Sequence, residues 1–332
     1  MKRVAINGFG RIGRACLRIA EMRGSLEVVA VNDIQLDPDL AAYLFEHDSV
    51  YRRFSKPVGH DDKGITVDGR HIQLLSERDP SALPWGDLGV DIVIESTGVF
   101  RTAEAAGQHV TAGAKKAIIS APAKGGGVPM FCMGVNHDRY KADEQHVISA
   151  ASCTTNCLAP MAHILNQEFG LEKGLMNTVH AYTAGQSLVD GPKPADWGRG
   201  RAAAQNIVPT TTGAASAVGK VLPELDGKLD GMALRVPTPT GSVVDLTAIL
   251  SKEVTVDQIN DAFRKHAAGS MKGILTVSEV PMVSSDCVGD NHSSIIDLKS
   301  TSVMDGNFVK VLSFYDNEWG YTNRLIDLAE YA

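Results

Sequence analysis

Short apolar segments recur through the first 150 positions, and stretches with helical spacing of their apolar residues separate them. The apolar segments, each predicted to be a buried strand, are residues 2–6, 26–31, 90–95, 117–120 and 146–150. Residues 11–23 and 102–112 are predicted helices between them. Apolar strands that alternate with helices are typical of a doubly wound parallel sheet, so an α/β fold is predicted for this half.

The second half has a different pattern. Residues 241–250 and 308–315 contain partly alternating β-rich runs, and residues 256–267 are predicted to be an amphipathic helix that begins after Thr255. This mixture favours an α+β domain with a mixed or antiparallel sheet. Residues 181–206 lack periodicity, and a loop of that length inside a compact domain is usually functional or disordered.

The length, charge and cysteine content of the chain exclude several classes of protein. The chain has 332 residues, which suggests two domains, and its net charge of −7 argues against nucleic-acid binding. No apolar run is long enough to span a membrane, and the N-terminal segment lacks the apolar core of a secretory signal. Five cysteines without a disulfide or zinc-binding pattern indicate reduced thiols, so we expect a cytoplasmic protein without a metal site.

A glycine motif follows the first predicted strand. Gly8, Gly10 and Gly13 form a GxGxxG pattern that opens the first predicted helix, and Asp33 lies twenty residues after Gly13 at the end of the second strand. Backbone N–H groups at such a helix N-terminus bind a pyrophosphate, and the acidic residue accepts hydrogen bonds from the ribose hydroxyls. Asp33 would repel a 2′-phosphate, which favours NAD over NADP.

The second candidate site is a cysteine at the start of a helix. Cys153 follows an apolar strand and precedes the helical residues 158–169, where the helix N-terminus can lower a thiol pKa and create a nucleophile. A buried packing role is the alternative. His180 ends another predicted strand beside the long loop, so a Cys153–His180 pair is a hypothesis at this stage.

Two further segments suit a bound oxyanion. Residues 210–215 resemble a loop that enters a helix, and Arg235 lies between apolar residues, where its fork geometry suits a phosphate. A structural salt bridge is the alternative for Arg235. The motifs of serine hydrolases, zinc proteases and P-loop NTPases are not found.

The chain resembles the phosphorylating glyceraldehyde-3-phosphate dehydrogenases in segments between residues 4 and 327. The matching stretches are INGFGRIGR, VND, ASCTTNCLAP, HAYT, NIVPTTTGAA, LRVPTP, VSSD and YDNEWGYTNR. The resemblance implies a Rossmann NAD-binding domain over residues 1–151, completed by a C-terminal helix over residues 317–332. It implies a catalytic and tetramerisation domain over residues 152–316, and a homotetramer.

The resemblance also implies residue roles. Cys153 would be the nucleophile and His180 its base. The residues at family NAD contacts are Gly8, Gly10, Arg11, Ile12, Gly13, Asp33, Arg78, Ser120 and Asn317, with Arg11 and Ile12 at the pyrophosphate and Asn317 at the nicotinamide carboxamide. Thr183 and Arg235 match the site of the substrate's C3-phosphate. Ser152, Thr154, Thr212 and Gly213 match the site of inorganic phosphate.

The long loop departs from the family pattern. Gly198 stands where the family has its phosphate-site arginine, and Arg199 follows it. We hypothesise that the flanking glycines let Arg199 reach the phosphate. Thr240-Gly241 also replaces the usual Asn-Val, with no effect that the sequence explains.

The implied activity is oxidation of glyceraldehyde 3-phosphate to 1,3-bisphosphoglycerate through a cysteine hemithioacetal and thioester, with NAD and inorganic phosphate. Three alternatives are erythrose-4-phosphate dehydrogenase, a non-catalytic binding role and a variant serving arsenate. The intact HAYT and PTTTGAA stretches disfavour the first of these.

Overall fold

The computed structural model describes residues 1–332, and the chain divides into two compact units. The first unit comprises Met1–Phe131, His137–Ala151 and Thr322–Ala332, and the second comprises Cys132–Asn136 and Ser152–Tyr321. The seven α-helices are α1 (Arg11–Arg23), α2 (Pro38–Glu46), α3 (Ala103–Thr111), α4 (Cys153–Phe169), α5 (Ala214–Val221), α6 (Val256–Ala268) and α7 (Trp319–Tyr331). None of these helices is long and apolar enough to cross a bilayer.

The first unit contains one eight-stranded sheet. Its strands are β1 (Lys2–Asn7), β2 (Leu26–Asn32), β3 (Val58–Asp61), β4 (Gly64–Val67), β5 (Arg70–Leu75), β6 (Ile92–Glu95), β7 (Lys116–Ile119) and β8 (Val147–Ser149). The parallel part has the order β5-β2-β1-β6-β7-β8, the doubly wound order that places a ligand crevice at the carboxyl ends of the central strands. The sheet extends beyond the predicted strands, by the parallel strand β5 and by an antiparallel edge, β3-β4.

The central strands of this sheet are buried because helices cover both faces, so their sequences are continuously apolar. Val4, Ala5 and Ile6 of β1 are fully buried, and the helix α1 that follows ends at Gly24 with a left-handed φ of 65°. The Lys2 ammonium donates to two carbonyls in the last turn of α7, which joins the C-terminal helix to this unit.

The second unit also contains one sheet, which is mixed. Its strands are β9 (Leu171–Ala181), β10 (Val208–Thr211), β11 (Leu229–Val236), β12 (Ser242–Leu250), β13 (Leu275–Ser278), β14 (Ser294–Asp297), β15 (Ser302–Met304) and β16 (Phe308–Tyr315). The order is β10-β11-β9-β12-β16-β14-β13, with β15 paired to β16. Burial alternates residue by residue along β12, as expected for a sheet with one covered face.

The pairing of β9 with β11 positions the candidate site. These two strands are parallel, and Arg235 is the register partner of His180. The C-terminal helix α7 begins at Trp319, and Asn317 lies before it. The Asp316 carboxylate accepts hydrogen bonds from the backbone N–H groups of Glu318 and Trp319, so it caps the helix at this point.

Candidate active site

Cys153 is the first residue of α4. The Ser152 hydroxyl caps this helix by accepting a hydrogen bond from the Thr155 N–H at 3.0 Å. Ala151, directly before the cap, has a left-handed φ of 56°, a strained conformation for a residue with a Cβ. Cys153 alone among the five free cysteines is not fully buried. The local fold therefore presents one thiol at a helix N-terminus.

His180 faces this thiol from strand β9. The distance between Cys153 Sγ and His180 Nε2 is 3.4 Å, within the range of a hydrogen bond to sulfur. His180 is buried, and the edge of its ring packs against Tyr315. The structure thus brings together the cysteine and the histidine that the sequence paired only as a hypothesis.

Arg235 lies on the other side of the same imidazole. Its Nη1 is 2.7 Å from His180 Nδ1 and donates to the Ala181 carbonyl at 3.0 Å. Arg235 forms no ion pair, and its buried Nε has no hydrogen-bond acceptor. The alternative that Arg235 forms a structural salt bridge is therefore wrong. A partly buried guanidinium without a counterion is costly, and an oxyanion ligand would relieve that cost.

Burial and the charge of Arg235 shift the pKa values of both members of the pair. Burial and the Arg235 charge lower the pKa of His180 from 6.5 to about 3. Burial raises the pKa of the Cys153 thiol, and the Arg235 charge opposes this rise only in part. The expected lowering of the thiol pKa is therefore absent in this state, because burial outweighs the nearby positive charge.

The remaining cysteines suit a packing role. Burial raises the pKa of Cys132, Cys157 and Cys287 to about 12, and it raises that of Cys16 as well. Thiols held in the protonated form are poor nucleophiles. No group of three or more histidine, cysteine or acidic side chains that could hold a metal ion lies in the structure.

The expected phosphate-site residues occupy several elements of the second unit. Thr154 is the second residue of α4, and Thr183 is exposed just after β9. Gly213 precedes α5 as its N-cap, and the Thr212 hydroxyl accepts from the Ala214 N–H at 3.2 Å. Of these four residues, only Thr154 directly contacts the Cys153–His180 pair, through the sulfur at 3.9 Å.

The arginine of the long loop acts on His180 through its charge. Arg199 forms an ion pair with Asp196 at 3.1 Å, inside the short 3₁₀ turn that Gly198 begins. Its charge still lowers the pKa values of both His180 and Arg235. Arg199 therefore adds to the positive charge that acts on these two residues.

A cavity of about 360 Å³ opens at the carboxyl ends of β1, β2 and β6. Gly8 has a φ of 94°, and a Cβ there would lie 2.7 Å from the Thr97 nitrogen. A Cβ at Gly13 would collide with the Gly8 carbonyl. No side chain caps the N-terminus of α1 at Gly10, and its first turn has no acidic residue. This glycine cradle therefore suits a pyrophosphate.

The side chains around this cavity are arranged as follows. Asp33 accepts hydrogen bonds from the Phe9 and Gln35 N–H groups, both at 2.9 Å, and lines the cavity together with Arg78. The Arg11 side chain instead pairs with Asp48 and lies over the Tyr51 ring.

Two other expected NAD contacts belong to the backbone of this unit. Ile12 is the second residue of α1. Ser120 follows β7 and donates its N–H to the Glu95 carbonyl at 2.9 Å. The main-chain groups at the start of α1, rather than the Arg11 guanidinium, thus remain to meet a pyrophosphate.

Asn317 is held by the two residues that the sequence left unexplained. Its Oδ1 accepts from the Gly241 N–H at 3.1 Å and from the Ser242 hydroxyl at 2.9 Å, and the Thr240 hydroxyl lies 3.4 Å away. A backbone N–H can only donate, so the oxygen must face it and the amide NH₂ must face the other way. Residues 240–242 therefore orient the Asn317 amide as a donor.

Sequence reasoning missed Tyr315. Its hydroxyl lies 2.9 Å from both the Thr154 and the Thr178 hydroxyls, and it thereby links α4 to β9. The motif YDNEWGY drew attention to this segment, but no local pattern distinguishes a tyrosine that supports a site from one that fills a core.

Two protein-family models and several known proteins are similar to this chain. The family model described as "Glyceraldehyde 3-phosphate dehydrogenase, NAD binding domain" matches residues 2–103. The model described as "Glyceraldehyde 3-phosphate dehydrogenase, C-terminal domain" matches residues 152–317. Glyceraldehyde-3-phosphate dehydrogenase 1 of Saccharomyces cerevisiae is 54% identical over 100% of this chain and 99% of its own length. Glyceraldehyde-3-phosphate dehydrogenase 1 of Kluyveromyces lactis is 53% identical over the whole of both chains.

Proposed function

The chain belongs to the glyceraldehyde-3-phosphate dehydrogenase family, and from this membership we infer that it is a glycolytic oxidoreductase. It oxidises D-glyceraldehyde 3-phosphate with NAD and inorganic phosphate to give 1,3-bisphosphoglycerate. The observation that carries this proposal is the 3.4 Å approach of Cys153 Sγ to His180 Nε2 beside the unpaired Arg235 guanidinium. Neither the erythrose-4-phosphate alternative nor a purely non-catalytic role gains support from the relatives named above.

The chemistry begins at the thiol. Cys153 adds to the aldehyde carbon, and the thiol proton ends on the former carbonyl oxygen, which gives a hemithioacetal. His180 Nε2 then accepts the hydroxyl proton as general base while the C–H hydrogen leaves as hydride. NAD, when bound, accepts that hydride. The resulting thioester at Cys153 is cleaved by inorganic phosphate, which leaves as the acyl phosphate.

The phosphate groups are bound by the basic side of the site. Arg235, which lacks a counterion, supports a role as the ligand of the substrate's C3-phosphate, with Thr183 as a second contact. Ser152, Thr154, Thr212 and Gly213 are the proposed contacts of inorganic phosphate. Arg199 takes the place of the arginine that Gly198 replaces, and the effect of its charge on His180 and Arg235 supports this assignment.

The first unit holds the pyrophosphate and the adenosine of the cofactor. The glycine cradle at Gly8 and Gly13 and the backbone at the start of α1 receive the pyrophosphate, while Asp33 accepts from the adenosine ribose. Arg78 and Ser120 add contacts. The Asn317 amide, oriented by residues 240–242, donates to the nicotinamide carboxamide.

The quaternary structure we propose is a homotetramer. The side chains of Leu175, Met232 and Phe308 project from one face of the second sheet and are 68%, 43% and 40% exposed. Apolar residues grouped on one sheet face usually mark an interface, and a second copy of this sheet would cover them. The five free cysteines fit the reducing cytoplasm.

The test is NADH formation at 340 nm with glyceraldehyde 3-phosphate and NAD, with and without inorganic phosphate. Sustained turnover that requires both phosphate and Cys153 is the expected result, with Cys153→Ser as the control. An Arg199→Ala enzyme should show a raised Michaelis constant for phosphate, and an unchanged value would refute that role of Arg199. Absence of NADH formation by the wild-type protein would overturn the proposal.

A further inference from the structure

A short, strained segment connects strand β8 to helix α4. The strand ends at Ser149 and the helix begins at Cys153. Between them, Ala151 is fully buried and has a left-handed φ of 56°. Residues with a Cβ disfavour this region, and alanine has no polar side chain that could stabilise it there. A contact from outside Ala151 must therefore hold its backbone in this conformation.

The Ser149 hydroxyl supplies such a contact. Its Oγ accepts a hydrogen bond from the Ala151 N–H at 3.0 Å and donates one to the Ala121 carbonyl at 2.7 Å. An N–H can only donate and a carbonyl can only accept, so the single hydroxyl hydrogen points to Ala121 and a lone pair to Ala151. Ser149 is fully buried, so both bonds form away from solvent.

Hydrogen bonds also fix the connecting segment on both sides of Ala151. Before it, the Ala150 N–H donates to the Ile119 carbonyl at 3.0 Å. After it, the Ser152 hydroxyl caps α4 through the Thr155 N–H at 3.0 Å. With both ends held, the conformation of Ala151 sets the direction in which the chain enters α4.

The position of the Cys153 sulfur depends on this direction. Cys153 follows Ala151 by two residues and lies in the first turn of α4, with its sulfur 3.4 Å from His180 Nε2. A change of φ at Ala151 would move Ser152 and that first turn, and the sulfur with them. A displacement of about 1 Å at a reacting atom can slow a reaction about 10²-fold.

We propose that Ser149 is a positioning residue for the nucleophile: its hydroxyl holds Ala151 in the left-handed conformation, and this conformation places the Cys153 sulfur at the start of α4. The inference rests on the proposed function, in which Cys153 adds to the aldehyde. The same hydroxyl ties Ala151 to Ala121, which follows the proposed cofactor contact Ser120 after β7.

The test is a double-mutant cycle between Ser149 and Ala151. Ser149→Ala should lower the turnover number for NADH formation from glyceraldehyde 3-phosphate by about 10–100-fold. Glycine adopts a left-handed φ without strain, so in the Ala151→Gly background the conformation no longer needs the hydroxyl. Ser149→Ala should there cost about threefold or less. Equal losses in both backgrounds would overturn the inference, because a hydroxyl that only stabilises the core costs the same in each.

Ser294→Ala is the matched control. Ser294 is also fully buried, and its hydroxyl lies 2.7 Å from that of Ser313, so the variant should lose stability and keep the wild-type turnover number.

If Ser149→Ala does not fold, Ser149→Cys replaces it, because a thiol fills a similar space and forms only weak hydrogen bonds. Its loss of activity should also shrink in the Ala151→Gly background. A variant at Ser149 whose only change is a raised Michaelis constant for NAD would overturn the inference, since the hydroxyl would then act on the Ser120 segment alone.

A second measurement needs neither substrate nor cofactor. Cys153 alone among the five cysteines is not fully buried, so the rate of alkylation by iodoacetamide, followed by mass spectrometry, reports the surroundings of its sulfur. Ser149→Ala should slow this alkylation by about fivefold or more, and Ala151→Gly should restore it. An unchanged rate in Ser149→Ala would contradict the inference. A wild-type protein that forms no NADH but shows the expected alkylation rates would refute the proposed function and leave the positioning of Cys153 intact.

Discussion

Each of the two units contains a buried histidine. The two imidazole rings differ in whether a single tautomer can satisfy their hydrogen-bond partners. In the first unit, the Trp85 indole donates to His109 Nδ1 at 3.1 Å, and His109 Nε2 lies 3.0 Å from the Glu95 carboxylate. One tautomer satisfies both partners, and the Asn7 amide, 3.4 Å from Nε2, donates to the Glu95 carboxylate at 2.6 Å instead. In the second unit, the Ala181 carbonyl and Arg235 compete for Nδ1 of His180.

This difference distinguishes a buried histidine that stabilises the fold from a buried histidine that takes part in function. The Glu95 carboxylate that receives His109 also accepts from the Asn7 amide at 2.6 Å and from the Thr97 N–H at 2.8 Å, so the network is closed. In a closed network every polar group has a hydrogen-bond partner, so the network stabilises one arrangement of its residues. The network of His180 is open, because it contains a cation without a counterion and a partly buried thiol. A ligand can therefore change it.

The largest effect we predict is on activity. His180→Asn should slow the first turnover of NADH with glyceraldehyde 3-phosphate by about 10²–10⁴-fold, because the general base is lost. His47→Asn, at a largely exposed position, is the control and should leave the rate unchanged. A His180→Asn enzyme with wild-type rates would mean that another group takes the proton and that the comparison of the two histidines does not concern catalysis.

The corresponding change in the closed network should affect stability instead. His109→Phe removes the acceptor of the Trp85 N–H and one donor to Glu95, all of them buried, and should lower the free energy of unfolding by about 3 kcal/mol. Urea denaturation measures this loss. The first turnover at saturating NAD should remain near the wild-type rate. His109→Gln, which keeps a donor for Glu95, should lose less, and equal losses in both variants would contradict the hydrogen-bond account.

Much of what positions these two histidines could be predicted from local sequence. The alternation of apolar strands with helices predicts the first sheet, and the glycine motif predicts the turn into α1, because both depend on residues close together in the chain. Cys153 at the start of α4 follows from the capping residues around it. The predicted helix 11–23 and strand 308–315 have the bounds found in the structure.

The contacts that define the open network could not be predicted in this way. Arg235 meets His180 because β9 and β11 are parallel neighbours in one register, and 55 positions separate the two residues along the chain. Tyr315 reaches Thr154 from a separation of 161 positions. The antiparallel strands β3 and β4 were missed because they are only four residues long and carry little apolar pattern. Contacts of this kind depend on tertiary packing.

The pH dependence of stability offers an intermediate test. The pKa of His180 is about 3 in the folded protein and near 6.5 in the unfolded chain. Between these values the unfolded chain binds a proton that the folded one does not, so the free energy of unfolding decreases as pH falls, by up to about 1.4 kcal/mol per pH unit. Denaturation of His180→Asn between pH 6.5 and 4 should show a shallower slope by that amount. Identical slopes would refute the buried, neutral state of His180.

The smallest predicted effect concerns the hydrogen bonds that hold the elements around Cys153 and His180 together. Tyr315→Phe removes the buried hydroxyl that links Thr154 of α4 to Thr178 of β9, and it should cost about 1 kcal/mol of stability. Since Cys153 and His180 are neighbours of those two threonines in sequence, the first turnover should fall by tenfold or less. Tyr43→Phe, at an exposed position, is the control for both measurements.

The size of the effect of Tyr315→Phe distinguishes a tyrosine that supports the site from one that takes part in proton transfer. A loss of activity that follows the small loss of stability means that the hydroxyl holds the thiol and the imidazole in place, as the closed network does for its own residues. A loss as large as that of His180→Asn, with stability nearly unchanged, would place the tyrosine hydroxyl in the proton transfer itself. The open network would then extend from Arg235 through His180 to Tyr315.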